Sequence, residues 1–196
     1  MVVKLNKGLG IESKRRTRQF NAENNGSYTS DNTTEIIIDL SSANELYDFT
    51  NGYLLFDIVG AQTGGSAVDF QNWAASSWIR ELRIEDRSGK SIGRPVNHYN
   101  GLARMTYETK SNNEANSSYL DTLEGAKAAT GDATVSRQYA HRFLSHIFTA
   151  QDYYPANLHS GLRIILTLES AANVLTYDGT VPVYTLSNVH YVCDAI

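Results

Sequence analysis

One cysteine, three prolines and two methionines are all that 196 residues hold of those types. A single thiol, Cys193, excludes an intrachain disulfide and any zinc site built on cysteines, and is expected as a small buried hydrophobe. Charge is also sparse, at 19% of residues with a net −4, so any binding of nucleic acid or membrane has to come from a local cluster. No run approaches the ~20 apolar residues of a membrane span, and Met1-Val2-Val3-Lys4 opens no signal-peptide core, which makes a cytosol the expected place of synthesis. A phosphate-cradling loop is missing too, because Gly60, Gly64 and Gly65 precede no helix with a basic residue in the required place. The glycosylation-type triplets at Asn25, Asn32 and Asn116 read as by-products of an Asn- and Ser-rich composition.

What fills the chain is alternation. In Gly161 to Glu169, Leu162, Ile164, Leu166 and Leu168 point one way and Arg163, Thr167 and Glu169 the other, the period of a strand with one buried face. Val183 to Cys193 repeats the pattern. Thr34 to Leu40 predicts another strand, and Tyr53 to Val59, apolar on both sides apart from Asp57, predicts one deep in a sheet. Trp78 to Glu85 is followed by the turn Asp86-Arg87-Ser88-Gly89 and a hairpin partner over Lys90 to Val96. Asn97 to Glu108 has helical spacing with Asn97 as N-cap, and Val68 to Ala75 suits a helical turn. Residues 111–134 read as a long loop with a short helix around Ser118 to Lys127, and Arg137 to Phe148 is expected as strand in its second half. Strands separated by polar turns, with helices only as insertions, indicate an all-β antiparallel sandwich. Residues 1–33, without periodicity and carrying a basic cluster, are expected as an extended N-terminal arm, and residues 34–196 as one β domain.

Three stretches carry a resemblance: Trp78 to Ile92 with the helix around His98-Tyr99-Asn100-Gly101-Leu102, Tyr154-Pro155-Ala156-Asn157-Leu158-His159 running into the strand Leu162 to Leu168, and the closing Tyr184 to Val192. In order and type they resemble jelly-roll capsid proteins of tailless icosahedral DNA viruses, over about half the chain. That resemblance implies an eight-stranded jelly roll, either a single one or one half of a double-jelly-roll coat protein. It further implies a structural protein with no catalysis and no cofactor, which self-assembles as a homo-oligomer with other capsid subunits in the virion after synthesis in a host cytoplasm. A jelly-roll carbohydrate-binding module or lectin is the alternative, with Trp73, Trp78, Tyr153 and Tyr154 as candidate sugar-stacking rings.

Lys14, Arg15, Arg16 and Arg18, with Lys4 and Lys7 upstream, form the candidate functional cluster, a contact to a neighbouring subunit, packaged nucleic acid or an inner membrane. A solvated tail or a clip on an acidic neighbour explains the same charges, and neighbour contact is favoured. His141 and His146, five apart, share no helix face and fall on opposite sides of a strand, so a zinc pair is not expected. Ser145 lies in no nucleophile elbow, and the sequence places no acid to orient either imidazole. His159 and His190 read as surface residues, and Asp57, Glu81, Glu85, Asp121 and Glu124 as isolated carboxylates or cross-strand ion-pair partners.

Overall fold

The computed structural model describes residues 15–23, 26–40, 45–61, 68–71, 73–109, 124–125, 133–150, 153–158 and 161–196. Its strands are β1 (Arg16–Asn21), β2 (Tyr28–Thr29), β3 (Glu35–Leu40), β4 (Leu46–Ala61), β5 (Asp69–Phe70), β6 (Ile79–Asp86), β7 (Val96–Asn97), β8 (Arg137–His141), β9 (Tyr154–Pro155), β10 (Leu162–Leu168), β11 (Leu175–Thr176) and β12 (Val183–Ala195). Between them lie the helices α1 (Ala74–Ser77), α2 (Tyr99–Glu108), α3 (His146–Thr149) and α4 (Ala171–Val174).

One sheet runs β1-β12-β4-β8, with β2 added beside β12 and β9 beside β4, and the facing sheet runs β3-β10-β6-β7. The seven longer strands together with the two-residue β7 make eight whose pairing is nested, the two-residue β2, β5, β9 and β11 lying outside this order. The first pairs with the last (β1 with β12), the second with the seventh (β3 with β10), the third with the sixth (β4 with β8) and the fourth with the fifth (β6 with β7), all antiparallel. A long hairpin wrapped on itself gives this order, which is the jelly roll.

The core follows from the alternation. Ile36, Ile38 and Leu40 of β3 stand opposite Leu166, Ile164 and Leu162 of β10, which in turn align with Leu82 and Ile84 of β6. From the other sheet Leu54, Phe56, Ile58, Tyr184, Leu186 and Tyr191 face them, each fully buried, and burying such a side chain contributes about 1.5–3 kcal/mol. Trp78 closes the middle with its ring edge-on to Phe56, centroids 5.2 Å apart.

Several expectations are corrected. Within the stretch expected as an extended N-terminal arm, Arg16–Asn21 forms β1 and pairs with β12, and Phe20 anchors it edge-on to Tyr47 at 5.5 Å. Ala22 then bridges to Ile38, carrying the chain from one sheet to the other. Strand β4 begins well before Tyr53, because the polar run Asp48 to Gly52 is part of it, and Gly52 leaves room for the Tyr191 ring; a Cβ there would meet the Tyr191 hydroxyl at 2.0 Å. The second half of 137–148 is not strand. Pairing with β4 ends at His141, and the chain continues as coil into α3. The hairpin partner over 90–96 shrinks to a bridge at Ser91 and to β7, since Pro95 lacks an amide to donate. Helix α2 starts after His98, in the left-handed region at φ 52° with no side-chain cap, so Asn97 is not its N-cap. Strand β10 is covered on both faces rather than one, with Ile165 and Thr167 also buried. The turn at Gly89 is as expected, with φ 83° and the Asp86 carboxylate accepting from the Ser88 and Lys90 amides. The helix expected around Ser118 to Lys127 lies outside the described residues apart from Glu124 and Gly125.

Candidate functional site

The basic cluster is dispersed by the fold. Lys14, Lys4 and Lys7 lie outside the described residues. Arg15 donates from Nε to Asp194 at 2.8 Å and from its terminal nitrogen to Asp48 at 2.6 Å, and the hydrogen bond to Asp194 raises its pKa above the ordinary guanidinium value. Arg18 holds Glu45 through Nε, 3.0 Å from each carboxylate oxygen, and this bond raises its pKa likewise. Arg16 is exposed, and among the described residues no carboxylate pairs with it. Two of these positive charges are therefore spent within the sheet, fastening β1 to β4, β12 and the segment before β4.

The structure also assembles a cluster that the sequence did not announce. His141, on the inner face of β8 with Tyr139, is fully buried, and its Nδ1 lies 2.7 Å from Oε2 of Glu124, itself 4% exposed. Its Nε2 lies 2.8 Å from the Tyr99 hydroxyl, which accepts the Leu144 amide at 3.0 Å. The Glu124 carboxylate can only accept, so His141 donates to it from Nδ1. Glu124 Oε1 accepts from the Tyr107 hydroxyl and the Arg142 amide, both at 3.2 Å. One buried carboxylate is thus met by three donors, the condition under which a buried charge is tolerated. Burial first, and the nearby Glu124 charge in addition, push the phenols of Tyr99 and Tyr107 well above the usual tyrosine range. The reading that no acid orients a histidine is therefore wrong for His141. A histidine alternating with Tyr139 and Phe143 was the available signal, since an inward polar ring needs partners. The Glu124 end is invisible in sequence, because it comes from a long polar segment. The cluster's histidine and Tyr99 are buried, its Glu124 and Tyr107 border a cavity of about 310 Å³, and it pins α2, β8 and residues 124–125 together.

The other histidines and carboxylates stay apart. His146 is exposed on α3, His190 donates from Nδ1 to the Asn188 carbonyl at 2.6 Å, and His159 lies outside the described residues. Ser145 makes no cap bond to α3. Glu81 and Glu85 flank Arg83 at 3.6 and 3.8 Å on the outer face of the β3-β10-β6 sheet, where Glu35 also pairs with Arg83 and Arg87 with Asp39. Asp57 is held by the Asn188 side chain at the β12 bulge. Among the described residues no group of three or more metal-ligating side chains converges.

A cleft of about 610 Å³ opens between the β6–β7 connection and the α3–β9 segment. Leu82, Ile84, Ile92, Val96, Leu144 and Ile147 give it apolar walls, and Arg94, His146 and Tyr153 also line it. Of the aromatic rings considered for sugar stacking, Tyr153 and Tyr154 border this cleft, whereas Trp73 and Trp78 are buried. Trp73 stacks on Tyr107 with centroids 4.7 Å apart, inside the protein.

No protein-family model matches this chain, and no curated protein does. Among solved structures it is similar to the PBCV-1 virus capsid, a quasi-atomic model, with a TM-score of 0.50 at 8% identity over 93% of this chain and 43% of that one. The fold is a capsid-type jelly roll. PBCV-1 VP54, whose crystal structure was fitted into a reconstruction of the virophage Sputnik, is also similar, with a TM-score of 0.49 at 9% identity over the same 93% and 43%. The chain spans less than half the length of these capsid chains.

Proposed function

We propose that the chain is a structural capsid protein, self-assembling with copies of itself and with other capsid subunits into an icosahedral shell, as a major, minor or vertex component, without catalysis. The observation that carries this reading is the complete nested pairing of eight strands, which aligns over 93% of the chain with a capsid protein. The interior is consistent with it, because among the described residues the His141, Tyr99 and Glu124 cluster fastens α2, β8 and residues 124–125 to one another. Such a body works by shape: two packed sheets form a rigid block, and its surfaces determine what it meets. In this reading the basic cluster of Lys14, Arg15, Arg16 and Arg18 contacts a neighbouring subunit, packaged nucleic acid or an inner membrane, with Arg16 the member that no carboxylate pairs with among the described residues. The protein is made in a host cytoplasm and functions in the virion.

The carbohydrate-binding alternative retains only Tyr153 and Tyr154 at the cleft, since the tryptophans are inside. The deciding experiment is the mass of the purified chain by light scattering at low and high salt, with negative-stain imaging of whatever exceeds the monomer. Discrete rings or shells are expected; a monomer at every salt and concentration would transfer the weight to the carbohydrate-binding reading.

A further inference from the structure

Helix α2 buries Tyr99, Ala103 and Tyr107 against the barrel and turns Leu102 and Met105, 44% and 68% exposed, outward. These two lie three residues apart and so form one ridge on the helix surface. The other large apolar side chains exposed among the described residues, Val135 and Val181, stand on separate segments. The same molecule carries the apolar cleft walled by Ile84, Ile92, Val96 and Ile147. Val96, in the cleft lining, lies on β7, the element that precedes α2 in the chain.

Their charges also match. Among the described residues the cleft lining contains Arg94 and His146 and no carboxylate. One turn beyond Met105, α2 presents Glu108, whose side chain is 48% exposed and whose partner, Arg104 at 2.7 Å, is itself 51% exposed. We propose that a second copy of this chain docks here, with the Leu102–Met105 ridge of its α2 entering the cleft and its Glu108 meeting Arg94. In the proposed contact each copy gives its ridge to the other's cleft about a two-fold axis. The inference rests on the assembly reading and names the surface that assembly uses.

The test uses the full chain. Replacing both ridge residues, Leu102→Asp with Met105→Asp, leaves the buried face of α2 intact, so the circular dichroism spectrum should stay that of the wild type. Self-association by light scattering should weaken about tenfold or more, as loss of a central apolar anchor does. Glu108→Arg and Arg94→Glu should each weaken it and together restore it. In a mixture of a Met105→Cys chain with a tagged Ile147→Cys chain, oxidation should give the mixed disulfide dimer; the native Cys193 is buried and contributes little background. Oligomers of unchanged mass in the double aspartate variant, with no mixed dimer beyond that of a Val181→Cys control, would overturn this interface and leave capsid assembly standing. A wild-type chain that is monomeric at every concentration and salt would overturn both.

Discussion

The His141 imidazole and the Glu124 carboxylate, 2.7 Å apart and both buried, fasten a long polar segment to the middle of the barrel. Gly125, the next residue, accepts the Trp73 amide at 2.7 Å, and the Glu124 carbonyl accepts that of Ala75. One pair of residues thereby holds α1, α2 and β8 in a common arrangement.

Glu124→Ala removes the acceptor used by His141, Tyr107 and the Arg142 amide together. The expected loss is about 3 kcal/mol, since donors left unmet in the interior cost more than the bonds contribute net. Glu124→Gln, which still accepts on one oxygen, should lose less. Urea unfolding followed by fluorescence measures both; an unchanged midpoint for the alanine variant would show that the network does not hold the fold.

Alkali should weaken the protein in a defined window. Burial raises the folded-state pKa of Tyr99, Tyr107, Tyr184 and Tyr191 above 10.0, and pushes the Cys193 thiol up from 9.0 to about 12. The unfolded chain then releases protons that the folded one keeps, so the stability these groups contribute is full below pH 9 and falls as pH rises past 9 to 10 toward the folded values. Urea midpoints from pH 8 to 11, with tyrosinate absorbance at each, test this. Full tyrosinate signal near pH 10 from a still-folded protein would refute it.

Gly52→Ala should destabilise the barrel by about 2 kcal/mol through overpacking, because the new Cβ meets the Tyr191 hydroxyl at 2.0 Å and the ring carbon behind it at 2.8 Å. Tyr191 cannot readily yield, since its ring stacks on Phe143 at 5.8 Å and packs against Phe49 and Phe148. Tyr191→Phe removes a buried hydroxyl that has no hydrogen-bond partner among the described residues, so by itself it should be nearly neutral. Combined with Gly52→Ala it should recover part of the loss, and strict additivity in thermal denaturation would argue against the clash.

Truncation separates the basic cluster into its two parts. Removal of residues 1–14 should leave the unfolding midpoint unchanged while reducing assembly. Removal of 1–22 strips β1 and the Phe20 contact with Tyr47, at an expected cost of about 3 kcal/mol from the lost apolar burial. Equal stability of the two truncations would mean that β1 contributes nothing to the barrel.

The strands with strong alternation, β3, β6, β10 and β12, were legible because one face of each must be apolar, and β10 between β3 and β6 stands where its pattern predicts. What misled the reading was polarity at edges. Arg16 to Asn21 alternates too weakly to signal a strand, since β1 pairs on one side only and its outer side is solvated. Asp48 to Gly52 hides the first part of β4 for a related reason, with charges taken up by Arg15 and a glycine imposed by a ring from a strand far away in sequence. The Glu124 contact depends on the path of a long connection, which no local pattern encodes.

The nested pairing has a consequence for how the protein is made. Arg16 aligns with Ala195 and Asn21 with His190, so the outermost pair joins strands separated by all the rest of the barrel, and β1 has no partner until β12 has been synthesised. Contacts of such long range make folding slow and leave early strands open to pairing with strangers. The arginines and polar side chains of β1 guard that waiting edge, keeping it soluble until β12 arrives.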